Sequence, residues 1–469
     1  LCVVGDDWHI IYSWRGANYQ NILNFESDYA DARVVKLEQN YRSTQHILDA
    51  AHHVISKNVS RSKKKLWTDL GLGEKVHVVQ VPDEIAEGRL IVQTIERLKG
   101  LNPKLGLKDF AVLYRTNAQS RSLEETFLRY NVPYQVVGGI RFYERREVKD
   151  ILAYLRVIFQ PNDMVSLARI INVPARGVGA KSAALLIDHL NKYEADTFEA
   201  MTHAEAITGL RGKALREIKN LGIILSELAA QPQLSIYELA EALIKRVGYI
   251  DYLQDGTISA EDRVENVQEL MGVMKTYNNL DLETFLTDVA LVSDIDSLSA
   301  QKDSVSLMTM HSAKGLEFEV VFIVGMEEGV FPHSRSFFEP EEMEEERRLC
   351  YVGMTRARQQ LYLIHASSRM LYGNTQHNLP SRFIADIPEE IISEPVTSQI
   401  QNQVAGQQET EPFYDEFDVS AALVKGDRVT HPLFGTGEVL SVEGSEAVIN
   451  FSKVGKKVLN LQYAPLQKL

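Results

Sequence analysis

Short apolar runs rich in branched side chains alternate with helical patterns, and this alternation is the feature that most constrains the fold. The strand-length runs lie at residues 33–37, 76–81, 110–114, 305–310, 320–324 and 361–364. Residues 86–98 and 122–130 have helical spacing and lie between these runs. Continuous apolar strands are typical of sheets covered on both faces. The sequence therefore predicts an α/β domain with a parallel sheet.

The long stretch in the middle of the chain has helical periodicity only. Its predicted helices are residues 151–159, 181–191, 212–228, 236–247, 260–277 and 282–291. We therefore predict a large all-helical insertion into the α/β domain. Near the carboxyl end, residues 425–469 carry short alternating runs punctuated by glycine, which is typical of a small β-barrel module. Residues 383–424 contain nine acids and no Lys or Arg, and the apolar-poor middle of this segment is typical of a disordered linker.

Composition excludes several classes of protein. Cys2 and Cys350 are too few for a disulfide framework and lack metal-ligand spacing, so they favour a reducing cytoplasm. No apolar run reaches the roughly 18 residues of a membrane span, so we expect no membrane partner. The formal net charge of −14 argues, taken alone, against nucleic acid, because phosphate binding favours a basic face.

The amino-terminal motif places aromatic and basic side chains close together. Tyr12, Trp14 and Arg15 follow the apolar run at the start of the chain. Aromatic rings of this kind stack on nucleobases, and arginine adds phosphate contact. Burial of the two rings in a core explains the same pattern, so both interpretations stay open here.

Three further segments carry candidate charged groups. Residues 40–44 (NYRST) place Arg42 where a predicted strand ends and a capped helix begins, so we expect it to face a crevice at the carboxyl ends of the strands. Residues 308–318 add Lys314 and Glu317, and residues 351–358 add Arg356. Surface ion pairing explains each of them alone. The acidic run at residues 339–346 is explained as a solvated helix face.

Together these segments resemble motifs III to VI of superfamily 1 DNA helicases of the UvrD, PcrA and Rep type, and most closely the PcrA type. Residues 114–121, 137–143 and 174–179 extend the resemblance over almost the whole chain. It implies an ATP-dependent 3′ to 5′ helicase and translocase of repair or replication, located in the bacterial cytosol at the nucleoid. The implied cofactors are ATP and Mg²⁺, held between two RecA-like domains, and the implied partners are single-stranded and duplex DNA.

The resemblance also implies a segment order and a set of site residues. Residues 1–31 correspond to part of the first RecA-like domain, 32–143 and 304–384 to the second, 144–303 to the inserted helical subdomain, 385–423 to an acidic disordered linker and 424–469 to a Tudor-like module that binds RNA polymerase. The implied catalytic residues are Arg42, Arg356 and His9, and the implied nucleotide-binding residues are Tyr41, Arg42, Glu317 and Arg356. The implied DNA-binding residues are Tyr12, Trp14, Arg15, Arg115, Asn117, Arg176, Gly177, Gly179, His311, Lys314, His333 and Tyr372. No metal ligand is implied within this chain.

Two departures from the family pattern qualify these expectations. Where the family has Asp-Gln-Ser, this chain has Trp8, His9 and Ile10, which leaves the coupling of hydrolysis to DNA open. The phosphate-binding loop and the magnesium-binding acidic motif of the family are absent from the 469 residues, so we expect this polypeptide alone to be inactive as an ATPase. An ATPase-dead protein that binds single-stranded DNA or RNA polymerase is the alternative.

Overall fold

The computed structural model describes residues 2–12, 16, 20–29, 31–193, 195–257, 259–277, 280–298, 303–394, 423–431, 435–443, 446–451, 455–460 and 467–468. The chain divides into two compact units. The first comprises Leu1–Ile140, Ser299–Arg369 and Thr375–Leu469, and the second comprises Arg141–Leu298 and Met370–Asn374.

A six-stranded parallel sheet organises the first unit, which confirms the predicted α/β class. Its strand order is β1-β6-β5-β2-β4-β3. The strands are β1 (His77–Val81), β2 (Phe110–Tyr114), β3 (Tyr134–Val136), β4 (Val305–Thr309), β5 (Phe318–Ile323) and β6 (Ala357–Ala366). The three residues of β3 were too short a run to be predicted from their pattern.

One predicted strand is wrong. Residues 33–37 form no strand in the described part of the chain, and the neighbouring contact is a single bridge between Gln39 and Trp67. The side chains of Val34, Val35 and Leu37 are 53%, 69% and 80% exposed. Their apolar, branched pattern is that of a strand, but a strand also needs a neighbour to satisfy its backbone groups.

Helices cover both faces of the sheet. On one face, α3 (Gln45–Ile55) and α15 (Pro340–Met354) pack with Trp8 and Ile11 over the inward side chains of β2, β4, β5 and β6. On the other face, α4 (Glu84–Leu101) and α5 (Ser120–Arg129) cover a second core. Short helices α1 (Gln20–Leu23), α2 (Phe25–Asp28) and α16 (Arg382–Ala385) complete the unit. Among the described residues, 3-10 turns lie at Asp7–His9, Leu107–Asp109, Asn117–Gln119, Phe142–Glu144, Ala204–Ala206, Ser334–Phe337 and Glu389–Ile391.

The second unit is helical, as the sequence predicted for the insertion. Its helices are α6 (Arg146–Phe159), α7 (Met164–Ile170), α8 (Ala180–Tyr193), α9 (Thr197–Thr202), α10 (Gly212–Ala229), α11 (Ile236–Val247), α12 (Tyr249–Leu253), α13 (Ala260–Thr276) and α14 (Leu282–Leu298). The compact unit spans Arg141–Leu298, whereas the bounds 144–303 of the inserted subdomain stay a prediction.

A distant segment, Met370–Asn374, also belongs to the second unit. It lies in a hairpin formed by β7 (Arg369–Leu371) and β8 (Asn374–Gln376). Within the unit, Gly373 lies against Gly272 of α13, where an added Cβ would be 2.8 Å from the Gly373 Cα. Lys275 donates to the Gly373 carbonyl at 2.7 Å. This close backbone contact joins the segment to the helical unit. Because the contact links residues about 100 positions apart, the local sequence pattern did not predict it.

The carboxyl-terminal region forms a five-stranded antiparallel sheet of order β12-β11-β10-β9-β13. The strands are β9 (Arg428–His431), β10 (Gly435–Glu443), β11 (Glu446–Phe451), β12 (Gly455–Asn460) and β13 (Gln467–Lys468). Val429, Val439 and Ile449 are at the centre of its own small core. The all-β character was predicted, whereas a Tudor-like barrel stays a prediction.

The predicted linker begins later than residue 385. Ile387 and Ile391 are buried in the core beneath α3, and Ser393 donates its backbone N–H to the Val76 carbonyl at 2.9 Å. These apolar side chains fix the chain to the first unit despite the acids beside them. Residues 395–422 lie outside the described residues. Among the residues that the structure describes, no helix combines the length and apolar character needed to cross a bilayer.

A buried charge cluster connects the carboxyl ends of the sheet to α4. Arg369 is 3% exposed and pairs with two carboxylates, at 2.9 Å to Glu87 and 2.7 Å to Glu327. The backbone N–H groups of Gly325 and Ala366 also donate to these carboxylates. Because a buried charge is tolerated only when it is paired, the fold depends on all three side chains.

We predict that Arg369→Ala lowers the free energy of unfolding of the first unit by about 3–5 kcal/mol, because it leaves two buried carboxylates without their cation. Chemical denaturation followed by fluorescence measures the change. Arg382→Ala is the matched control, because Arg382 pairs with Glu328 at the surface and an exposed pair contributes about 0–1 kcal/mol. Equal losses in the two variants would contradict the assignment.

Candidate nucleotide and DNA site

The predicted nucleotide-binding residues come together at the amino ends of β5 and β6. Glu317 directly precedes β5, and Arg356 directly precedes β6. Ser43 donates its hydroxyl to the Ala357 carbonyl at 2.6 Å, which holds the segment that carries Arg42 at the same edge. The expectation that Arg42 faces the carboxyl ends of the strands is therefore wrong. The run before it is not a strand of the sheet, so its end does not mark the carboxyl edge.

Arg356 is the most buried member of this arginine cluster, which we define as His9, Arg42, Glu317 and Arg356. Its residue surface is 2% exposed. The guanidinium donates to the carbonyls of Val352 at 2.9 Å and Leu316 at 3.1 Å. Burial, together with the neighbouring positive charge of Arg42, lowers the pKa of Arg356 to about 10. Helix α15 and the turn before β5 thus fix this arginine in place.

Arg42 lies beside Arg356 and is more accessible. Its Nε donates to Glu317 Oε2 at 2.7 Å, and its Nη1 donates to the Thr355 carbonyl at 3.3 Å. The Arg42 hydrogen bond holds the pKa of Glu317 below its ordinary value. Glu317 also pairs with Arg358 at 3.3 Å. Arg42 and Arg358 both pair with this one carboxylate, and Arg358 also pairs with Glu319. Because Arg356 lies beside them, the edge retains an excess of positive charge that suits an anion.

Tyr41 and His9 flank the two arginines. The Tyr41 ring is 77% exposed, with its hydroxyl donating to Gln39 Oε1 at 2.7 Å, and an exposed ring of this kind can stack on a base. His9 Nε2 lies 3.4 Å from Arg356 Nη2. Trp8, which replaces a polar residue of the family pattern, is 1% exposed and packs edge-on against Tyr351. The tryptophan at this position therefore packs in the hydrophobic core.

A second set of predicted residues lies where β2 and β4 end. Arg115 and Asn117 follow β2, and His311 and Lys314 follow β4. The Tyr12 hydroxyl donates to the His311 carbonyl at 2.9 Å. Lys314 Nζ lies 5.3 Å from the centre of the Tyr12 ring and donates to the His9 carbonyl at 2.8 Å. We call Tyr12, His311 and Lys314 the Tyr12 cluster.

Arg115 is held by a carboxylate that sequence reasoning missed. Its guanidinium donates to both oxygens of Glu346, at 2.7–3.1 Å. Glu346 also accepts from the His333 backbone N–H at 3.0 Å. Burial alone would raise the pKa of Glu346, but the Arg115 charge outweighs it and holds the pKa below its ordinary value. Glu346 was predicted to lie on a solvated helix face, and that interpretation is wrong for this residue, which is 6% exposed.

The predicted glycine turn, residues 176–179, belongs to the helical unit. Arg176 donates to the Ile170 carbonyl at 3.0 Å and to the Tyr154 hydroxyl at 2.5 Å, so its guanidinium braces the turn from within. Asn172 accepts from the backbone N–H groups of Arg176 and Val178 at 2.9 and 3.0 Å. Gly177, at φ +81°, and Gly179 are exposed just before α8. This geometry leaves the glycine backbone accessible to a phosphate.

Of the remaining predicted site residues, Tyr372 is described and Trp14 and Arg15 are not. Tyr372 lies in the segment that joins the helical unit, where its backbone N–H donates to Glu269 at 3.0 Å. Trp14 and Arg15 lie outside the described residues. Within the described ranges, no group of three or more His, Cys, Asp or Glu side chains is placed to hold a metal ion. The residues that would hold ATP phosphates fit an anion, whereas no set of ligands for Mg²⁺ is described.

The partly buried His311 side chain makes the stability of the fold depend on pH. Burial, followed by the Arg115 charge, lowers the pKa of His311 to about 4 from an ordinary 6.5. Between these values the unfolded chain binds a proton that the folded chain does not, so stability falls as pH falls from about 6.5 to about 4.

We predict that His311→Gln reduces this acid loss of stability by up to about 3 kcal/mol, because its side chain has no proton to bind. Denaturation curves between pH 7.5 and pH 4.5 measure the effect. His203→Gln, at an exposed position of the helical unit, is the matched control. An acid slope unchanged by His311→Gln would contradict the assignment.

Three family models match the sequence of this chain. The UvrD-like helicase C-terminal domain family matches residues 35–368, the UvrD/REP helicase N-terminal domain family matches residues 1–30, and a family described as a protein of unknown function (DUF3553) matches residues 423–469. A solved structure, the C-terminal domain of a possible DNA helicase from Lactobacillus plantarum WCFS1, covers 76% of this chain and 98% of that chain at 11% identity. Its TM-score of 0.29 is too low to support an argument.

Two relatives match along the whole chain. The ATP-dependent DNA helicase PcrA of Staphylococcus aureus (strain Mu50 / ATCC 700699) is 44% identical over 498 residues, covering 100% of this chain and 67% of the relative. The ATP-dependent DNA helicase PcrA of Bacillus subtilis (strain 168) is 43% identical over 496 residues, with the same coverage. The chain therefore belongs to the UvrD-like family of superfamily 1 DNA helicases, and it is similar throughout to helicases of the PcrA type.

Proposed function

We propose that the chain is part of an ATP-dependent 3′ to 5′ DNA helicase and translocase, which couples ATP hydrolysis to unwinding of duplex DNA in repair or replication. The names of the relatives support an ATP-dependent DNA helicase. The observation that carries it is the pair Arg42 and Arg356, which are distant in sequence but both donate to Thr355 at the same edge of the sheet. The positive charges of the two guanidiniums repel each other, and an anion bound beside them relieves this repulsion.

A nucleotide triphosphate is the anion that fits this cluster. In the proposed site Arg42 and Arg356 contact the γ-phosphate, where fixed cations stabilise charge as it develops in phosphoryl transfer. Tyr41 stacks on the adenine, and Glu317 lies near the ribose. Mg²⁺, when bound, neutralises phosphate charge.

Single-stranded DNA is the proposed ligand of the Tyr12 cluster. The Tyr12 ring offers a stacking surface, and Lys314 is its exposed cation. His311 is partly buried and its pKa is lowered, so it contributes packing and neutral hydrogen bonding rather than charge. Trp14, Arg15, Arg115, Asn117 and His333 belong to the same proposed set. Tyr372, in the helical unit, is proposed separately as a DNA contact. In the helical unit, the backbone at Gly177 and Gly179 is proposed to contact duplex phosphates.

The proposal extends to a partner and a location. We propose that the carboxyl-terminal sheet is a Tudor-like module and that it binds RNA polymerase. Its exposed strand residues include Lys456 and Glu438, of opposite charge, which suits a protein surface as well as nucleic acid. A location in the bacterial cytosol at the nucleoid is consistent with a DNA substrate.

We predict that Arg356→Ala or Arg42→Ala reduces kcat for ATP hydrolysis by on the order of 10³ or more, with DNA affinity nearly unchanged. The test requires a polypeptide that joins these residues to a phosphate-binding loop. Steady-state ATPase assays and fluorescence anisotropy with single-stranded DNA are the measurements. Arg382→Ala, which removes a surface guanidinium of the same unit, is the control. Loss of DNA binding with normal kcat would remove these arginines from the nucleotide site.

We predict that a polypeptide of only these 469 residues has no DNA-stimulated ATPase activity, because it contains no G-x-x-x-x-G-K-[ST] sequence to hold the phosphates. Phosphate release with and without single-stranded DNA measures this. Turnover that Arg356→Ala abolishes would contradict the prediction.

The alternative is an ATPase-dead protein that binds single-stranded DNA or RNA polymerase. Sequencing the DNA upstream of the Leu1 codon discriminates the two. A continuous frame encoding the phosphate-binding loop and an Asp-Glu pair supports the helicase. A nearby start codon with neither motif favours the alternative.

A further inference from the structure

The His9 ring lies between a group that can only accept and a group that can only donate hydrogen bonds. Its Nδ1 is 2.7 Å from Asp6 Oδ2, and its Nε2 is 3.4 Å from Arg356 Nη2. The ring packs edge-on against Tyr351, with ring centres 5.4 Å apart. The backbone carbonyl of His9 accepts from Lys314 at 2.8 Å. Both the ring and the backbone of His9 are therefore held in one orientation.

This arrangement selects one protonation form of the imidazole. Asp6 is ionised, because its Oδ1 pairs with the Lys64 ammonium and also accepts from the Trp8 backbone N–H. An ionised carboxylate accepts only, so Nδ1 must carry a hydrogen. A guanidinium donates only, so Nε2 must offer a lone pair to Arg356. The neutral Nδ1–H tautomer is the form that satisfies both neighbours.

We propose that Asp6 is a positioning residue that fixes His9 as the Nδ1–H tautomer, so that the Nε2 lone pair orients the guanidinium plane of Arg356. The proposal rests on the proposed function, because it specifies how the arginine assigned to the γ-phosphate is held. The other tautomer would direct an N–H at Arg356 Nη2 and push the guanidinium away. Asp6 therefore acts on Arg356 through His9, without touching the nucleotide.

The contacts of Asp6 make one substitution decisive. Asp6 Oδ1 accepts from the Trp8 backbone N–H at 2.9 Å and from Lys64 Nζ, while Oδ2 faces His9. In Asp6→Asn, the amide oxygen takes the place of Oδ1, because two donors converge there. The amide NH₂ then faces Nδ1, which must become the acceptor. The substitution keeps the shape of the side chain and reverses the tautomer of His9.

Nitrogen NMR of the 469-residue chain tests the tautomer directly. The chain is labelled with ¹⁵N-histidine, and the His9 signals among its 12 histidines are identified by their loss in His9→Gln. We expect the hydrogen on Nδ1 in the wild type and on Nε2 in Asp6→Asn. Asp7→Asn is the matched control, because it removes the same charge while its carboxylate contacts Ser62 rather than His9.

The wild-type spectrum alone can overturn the proposal. A hydrogen on Nε2, or on both nitrogens, leaves no lone pair for Arg356 and contradicts it, whether or not Asp6→Asn folds. An unchanged tautomer in a folded Asp6→Asn chain, checked by circular dichroism, also contradicts it.

Kinetics separate positioning from a general structural effect. In a polypeptide that joins these residues to a phosphate-binding loop, Asp6→Asn should lower kcat by about tenfold to hundredfold, with a smaller change in KM for ATP. In a His9→Gln background, Asp6→Asn should cost less than about twofold, because a glutamine amide can rotate to offer its oxygen to Arg356. Equal losses in both backgrounds would overturn the proposal. Absence of ATPase in the unsubstituted polypeptide would instead contradict the proposed function, and the NMR result would still decide the tautomer.

Discussion

Helix α15 is the element on which both clusters depend. Toward its amino end, Glu346 holds Arg115. Two residues later, Arg348 donates to the Ile10 carbonyl at 3.1 Å and fixes the amino-terminal motif. Near its carboxyl end, the Val352 carbonyl accepts from Arg356. A rise of 1.5 Å per residue places these anchors within about 9 Å along one rigid axis. A displacement of α15 along its axis would therefore move the supports of both clusters together.

The turn that joins β4 to β5 provides a second connection between the clusters. Residues 310–317 start where β4 ends and finish where β5 begins, so they cross the sheet from one edge to the other. The His311 carbonyl contacts Tyr12 at the first edge, and the Leu316 carbonyl contacts Arg356 at the second. Lys314, between them, contacts His9 and Tyr12. Because the turn is too short for a helical crossover, its small residues pack directly on the sheet, where Ala313 is fully buried.

Sequence alone predicted the parallel sheet and the helical insertion because each depends on local periodicity. It failed where structure depends on distant partners. Residues 33–37 have a strand pattern but no neighbouring strand in the described chain, and the edge that Arg42 occupies followed from that error. Glu346 lies in an acidic run, and only its pairing with Arg115, 231 positions away in sequence, explains its burial. Asp6 was not singled out for the same reason, since its role is visible only once His9 and Lys64 surround it.

The two clusters differ in how their charge is balanced, and that difference bears on what each can bind. At the arginine cluster, Arg42 and Arg356 face one accessible carboxylate, Glu317, so positive charge remains for an anion. Around the Tyr12 cluster, Glu346 neutralises Arg115, and burial keeps His311 uncharged at neutral pH. A strand bound there would rely more on stacking and on Lys314 than on a field of cations. The proposed binding at this place therefore requires no basic surface overall, and it is compatible with a net charge of −14.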